Sequence, residues 1–258
     1  MERRDFVVGA PVALLAAMAA RGAAQSPPEA PRGAKPRVVV VVAHPADFCS
    51  RSGGTLIKYV RAGCAVKIIW LSRGETDESQ TLYTAKPGIS VEEVGKIREL
   101  EALAAAKVVG AEGRMMGFAD NPIRTTDERI EMLAKEMADF KATLILTHWK
   151  NEVTYPSHWI TGQSAIQAGQ IAHVPWNIHF FEPNIGTATR VGFIPDHHVD
   201  ITEVFDQKIE ALKQLPTQPN LVEQYTACAR WRGLEAGCRY AEAFVRWAPK
   251  PVVEDLLD

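Results

Sequence analysis

Three polar clusters in this chain of 258 residues combine side chains that could do chemistry together. The first is Ala43-His44-Pro45-Ala46-Asp47 and the second is Arg73-Gly74-Glu75-Thr76-Asp77-Glu78-Ser79. The third runs from His148 to Tyr155-Pro156-Ser157-His158. A histidine and an aspartate three residues apart in one loop can direct both side chains at one ion. A later histidine would complete three protein ligands and leave a position for water, the pattern of a catalytic zinc site. Iron or manganese would suit the same imidazole and carboxylate donors. On spacing alone, histidines held by hydrogen bonds in a structural role remain the alternative.

Such clusters need a scaffold that gathers them. Arg37 to Ala43 is a continuous β-branched run, the pattern of a central parallel strand buried on both faces. Val66 to Ser72, Arg114 to Phe118, Thr143 to Thr147, Ile178 to Phe181 and His198 to Ile201 read as further strands. Helical spacing covers Ser52 to Ala62, Val91 to Val109, Thr126 to Phe140, Trp159 to Ala172, Glu203 to Gln214 and Asn220 to Trp247. The alternation predicts an α/β fold: a single-domain, Rossmann-like, mostly parallel sheet flanked by helices. In such sheets ligands gather at the carboxyl ends of the strands, where all three clusters fall.

The chain is 47% hydrophobic and 23% charged with a formal net charge of -2, an ordinary globular profile without a polybasic footprint, which argues against a nucleic-acid partner. Arg3-Arg4-Asp5-Phe6-Val7 heads an apolar run to Ala20, followed by small residues that could present a cleavage site. The run is short for a membrane span, and residues 1–24 read as a twin-arginine-type signal peptide, with a tail carrying two chance arginines as the alternative. Residues 25–36 read as a Pro-rich linker and 37–258 as the folded domain. The expectation is therefore a periplasmic or secreted protein with no stable membrane insertion after signal removal. Its expected partner is a small-molecule substrate, and self-association into a homo-oligomer is left open. The four cysteines lack CxxC spacing; a Cys228–Cys238 disulfide or free thiols are both open.

The order of the motifs resembles the PIG-L/LmbE-like zinc deacetylases. Ala-His-Pro-x-Asp follows a strand, Gly53-Gly54-Thr55-Leu56 opens the next helix, and Arg98-x-x-Glu101-Ala102 stands in the long helix. Thr147-His148, Pro156-Ser157-His158, Asp200-Ile201-Thr202 with Lys208, and Tyr240 to Phe244 complete the series, the last matching a C-terminal helix. The resemblance covers about Pro36 to Trp247. It implies Zn2+ as cofactor, with His44, Asp47 and His158 as its ligands.

Two departures matter. Where the family's deacetylases carry a general-base Asp this chain has Ala46, and where they carry an oxyanion-stabilising His it has Tyr155. A methyl group takes no proton, so the usual amide hydrolysis would lack a contribution of roughly 10²–10⁴-fold. Ala46-Asp47-Phe48 with Arg51, Gly74-Glu75 with Glu78-Ser79, Asp120 to Arg124, and Phe181-Glu182-Pro183 resemble instead the 4-oxalomesaconate hydratase branch of the fold. That resemblance puts the proton-transfer glutamate at Glu78, with Glu75 and Tyr155 beside it as catalytic candidates. The branch's second acid–base residue, a His, is Asn184 here, and an amide cannot shuttle a proton at neutral pH.

Arg51 and Arg124 could clamp substrate carboxylates, and His148 and Asn184 could line the pocket. Solvated or structural roles remain open for Glu78 and both arginines. The reading is a zinc-dependent hydratase of a small unsaturated oxo-carboxylic acid. An N-acetyl-sugar deacetylase and a non-catalytic zinc-binding protein are its rivals.

Overall fold

In this computed structural model the described residues are 34–153, 155–174 and 177–247. The export-signal reading and most of the linker lie outside them. The all-valine run forms β1 (Arg37–Val42), flanked by β2 (Ala65–Trp70) and β4 (Leu144–His148), both parallel to it. With β3 (Glu112–Met115), β5 (Ile178–Phe181), β6 (His197–Asp200) and β7 (Ala241–Trp247) they make one sheet in the order β3-β2-β1-β4-β5-β7-β6. Its first five strands are parallel, and β7 runs antiparallel to both β5 and β6.

The period of two divides β1 between two cores. Val38, Val40 and Val42 pack into the core that contains Leu56 and Ile57 of α1 (Asp47–Arg61) and Ala102 and Ala105 of α3 (Val91–Val109). Phe205 and Leu212 of α6 (Phe205–Lys213) and Tyr225 of α7 (Leu221–Ala236) share that core. Val39 and Val41 face the other side, with Leu133 and Met137 of α4 (Asp127–Asp139) and Ala165 and Ala168 of α5 (Pro156–Ile171). A short helix, α2 (Gln80–Ala85), lies after β2 and was not expected from the sequence. Among the described residues no helix is long and apolar enough to cross a membrane.

One expected element is corrected. The helix predicted over Asn220 to Trp247 stops at Ala236, where Gly237 takes a left-handed conformation with φ 73°. Residues 241–247 then form a strand between β5 and β6. Alanine and glutamate favour helix, but burying Ala241, Ala243 and Phe244 in the sheet overrides that weak preference. The four cysteines are free thiols, so Cys228 and Cys238 do not pair.

Close packing of α1 against the β6–α6 connection depends on Gly54. A Cβ there would stand 2.7 Å from two side-chain atoms of the fully buried Ile201. Gly54→Ala should gain about 0.5–1 kcal/mol in helix propensity but lose about 1–3 kcal/mol to overpacking. The net loss should appear in urea denaturation; an unchanged or higher midpoint would contradict the packing argument.

Candidate metal centre

The strand order reverses between β1 and β4, which opens a crevice at their carboxyl ends. The turn after β1 supplies His44 and the first residue of α1 supplies Asp47, the two tied by a 2.8 Å hydrogen bond from the His44 amide to Asp47 Oδ2. Beyond β4, Pro156 occupies the first turn of α5, where its fixed φ suits the helix and its missing N–H costs nothing. That places His158 in the same turn. Gly162 lets α5 press against the end of β4, since a Cβ there would meet the His148 carbonyl at 2.7 Å. The His158 ring consequently stacks on His148 with centroids 4.1 Å apart.

Donor atoms of His44, Asp47, Glu78 and His158 lie within 4.8 Å of one another, and both imidazoles are almost wholly buried. His44 Nδ1 stands 3.5 Å from Asp47 Oδ2 and 3.4 Å from Glu78 Oε1. His158 Nε2 stands 3.4 Å from Asp47 Oδ1. Bonds of about 2.0–2.1 Å arranged tetrahedrally place neighbouring ligand atoms about 3.3–3.4 Å apart, so these spacings suit one zinc-sized ion.

Two further observations fit a cation. His44 Nδ1 and His158 Nε2 are buried without a hydrogen-bond partner, a costly state unless a metal engages the lone pair. The opposite nitrogen of each ring meets a buried carboxylate: His44 Nε2 lies 3.1 Å from Asp120 Oδ1, and His158 Nδ1 lies 3.0 Å from Glu152 Oε1. A carboxylate can only accept, so it fixes the proton on that nitrogen and turns the bare one inward. Arg51 Nη2, 3.4 Å from His158 Nδ1, is then a packing neighbour rather than a donor to it.

The electrostatics agree. Burial alone would lower the pKa of His44, but Glu78, Asp120 and Asp47 raise it well above the usual imidazole value. Burial, His148 and Arg51 instead depress His158 to about 3, with Asp47 and Glu152 opposing. Thus His158 is neutral, as a ligand must be, while the carboxylates around His44 favour a positive charge at Nδ1, which a bound cation would supply in place of a proton. Burial works against ionisation of Asp47, yet His158 and His148 hold its pKa well below the carboxylate range. Burial likewise opposes ionisation of Glu152, but Arg51 and His158 keep its carboxyl low.

The other expected site residues divide. Glu78 is brought in, its Oε2 accepting from Arg98 Nη2 at 3.1 Å and from Gln218 Nε2 at 3.3 Å, which leaves Oε1 toward His44. Burial, aided by Asp47, pushes its pKa up against His44, Arg98 and Arg51. Tyr155 packs its ring on His158 at 4.3 Å and edge-on to His44 at 5.7 Å. Burial and then the Glu78 and Asp77 charges raise the pKa of its phenol, keeping it a neutral donor. His148 lies behind the set, accepting from the Ala43 amide and 3.3 Å from Asp47 Oδ2. Arg51 is buried and already donates to the Glu182 carbonyl and to Asn184 Oδ1.

Two expectations need correcting. Glu75 is not among the clustered donor atoms: its Oε1 accepts from the Asp120 amide and braces that loop, and its Oε2 is buried without a hydrogen-bond partner. Arg124 does not reach the site. Its side chain is exposed, in a loop whose carbonyl at this residue accepts from Arg129.

Sequence reasoning also missed Glu152 altogether and gave Asp120 no role. The signal for Glu152 was a carboxylate between two candidate histidines, four residues after the first. Asp120→Asn or Glu152→Gln should weaken zinc affinity by about 10–100-fold with unchanged circular dichroism. Chelator competition measures this, and wild-type affinity in both variants would contradict the orienting role.

Comparison with known proteins identifies the fold and the family. The chain is 30% identical over 209 residues to a 4-oxalmesaconate hydratase of Pseudomonas putida, covering 77% of this chain and 80% of that one. Its fold superposes on the crystal structure of the 4-carboxy-2-hydroxymuconate hydratase from the same species with a TM-score of 0.79. That match has 27% identity and covers 86% of this chain and 99% of the other. An N,N'-diacetylchitobiose deacetylase from Pyrococcus horikoshii shares the fold at TM-score 0.69 and 21% identity, over 84% of this chain and 85% of its own. Residues 39–169 match the PIG-L family, described as GlcNAc-PI de-N-acetylase, and the chain belongs to that family.

Proposed function

We propose that this protein is a zinc-dependent hydratase that adds water to a small, unsaturated oxo-carboxylic acid. The observation that carries the reading is the exchange of proton-transfer groups at the metal set. Ala46 fills the place of the deacetylases' base, while Glu78 Oε1 lies 3.4 Å from His44 Nδ1. The 30% identity to a hydratase supports the same choice.

His44, Asp47 and His158 would hold the zinc, which when bound acts as a Lewis acid and lowers the pKa of its water toward ~7. Glu78 takes up a proton at Oε1 and returns it to the substrate carbon, while Arg98 and Gln218 hold Oε2. Tyr155, kept as the neutral phenol, donates to the oxygen on which charge develops. Arg51 pairs with a substrate carboxylate through what remains of its fork, while Asn184 and Glu182 hold it in place.

Loss of the conjugated absorbance of an oxo-enoate tests the reading. The zinc-loaded protein should bleach it, a chelator should stop the reaction and added zinc should restore it. A chelator-resistant rate, or none with zinc present, would overturn the assignment. A deacetylase reading keeps one specific support, the match of residues 39–169 to a de-N-acetylase family.

A further inference from the structure

Beside the metal set lies a cavity of about 330 Å³. Its lining has a simple charge inventory. Among the described residues, only Asp47, Glu78 and Arg51 bring charged side chains to it. Two carboxylates and one guanidinium leave the wall one negative charge, and a divalent metal would turn that into one positive charge. A ligand with a single carboxylate balances the site; a second or third carboxylate would enter with nothing to pair it.

Arg51 cannot serve several carboxylates. It is buried, with Nη1 donating to the Glu182 carbonyl at 2.7 Å and Nη2 to Asn184 Oδ1 at 2.6 Å. Only part of its fork is left. Arg98, the next guanidinium, is spent on Glu78, Glu101, Thr217 and Gln218. The outer wall holds no cation. It is built from the amides of Asn220 and Gln224, both exposed, and from apolar Ile185 and Leu221. Amides recognise hydroxyl and carbonyl groups, and their neutrality gives no preference for anions.

We propose that this cavity selects a substrate with one carboxylate and an uncharged remainder bearing hydroxyl or carbonyl groups, not a di- or tricarboxylate. The inference rests on the metal-dependent reading of the site, and it narrows the substrate class. An unpaired carboxylate forced into the cavity carries a desolvation penalty that should cost more than tenfold in affinity.

Titration calorimetry on the zinc-loaded full chain with three saturated probes separates recognition from turnover: 2-oxopentanoate, 2-oxoglutarate and tricarballylate. The first should bind more than ten times tighter than either of the others. Gln224→Lys, at an exposed position of the wall, should then raise affinity for 2-oxoglutarate relative to 2-oxopentanoate about threefold to fivefold, the range of an exposed ion pair. Tighter binding of 2-oxoglutarate or tricarballylate by the unmodified protein would overturn the proposal, as would binding of none of the three. A di- or tricarboxylate preference alongside chelator-sensitive bleaching of an oxo-enoate would sink the charge argument alone. Selective binding of 2-oxopentanoate without any bleaching would support the charge argument while removing the hydratase reading.

Discussion

Replacing Glu78 by glutamine should lower turnover by about 10²–10⁴-fold and leave the zinc content at the wild-type level. The substitution is close to isosteric. The glutamine carbonyl can take the place of Oε2 and still accept from Arg98 Nη2, which holds that oxygen at 3.1 Å. The amide nitrogen then occupies the Oε1 position facing His44, where it can neither take up a proton nor return one. Metal analysis alongside the rate separates two roles that geometry alone leaves adjacent, because Glu78 belongs to the same cluster as His44, Asp47 and His158. Loss of zinc together with activity would make Glu78 a ligand. Full activity would hand the proton transfer to another group.

His158→Ala should remove the metal. Structural zinc sites bind with about 10–16 kcal/mol over four ligands, or roughly 3 kcal/mol per ligand, so losing one should cost at least ~10² in affinity. The change also strips a partner from Glu152, which is buried and accepts from His158 Nδ1 at 3.0 Å. A buried carboxylate short of a partner costs about 1–3 kcal/mol, so the variant should be less stable even without metal. Thermal unfolding with and without zinc reads both effects. Zinc should raise the midpoint of the wild type by binding only the folded state, and should leave that of the variant unmoved. An equal zinc-induced rise in both proteins would remove His158 from the ligand set.

These two outcomes depend on groups that differ in how far the sequence reveals them. The valine run of β1 is legible because burial on both faces demands apolar residues at every position, whichever core each one enters. His44, Asp47 and His158, singled out by the family resemblance rather than by spacing, are brought together because each stands beyond the carboxyl end of a central strand. Asp120 is not legible, because its value lies in reaching His44 across 76 residues, and nothing local marks a carboxylate that will meet an imidazole. Glu152 is hidden differently: its loop must fold back before Oε1 can meet both His158 Nδ1 and the Asn184 amide. Strand β7 was misread because its alanines and glutamate look helical, while its neighbours on both sides decide its conformation. Arg124 shows the opposite error, since a motif shared with relatives does not fix where a loop side chain points.

Proton NMR separates metal-dependent water addition from hydrolysis in one experiment. Purified protein would be incubated with a pooled panel of unsaturated oxo-acids and N-acetyl sugars, with and without a chelator. A vinyl signal from an oxo-acid should disappear, the chelator should block that loss, and no free acetate should form. A growing acetate signal with every vinyl signal intact would contradict metal-dependent water addition, and would mean that amide hydrolysis persists without the base missing at Ala46.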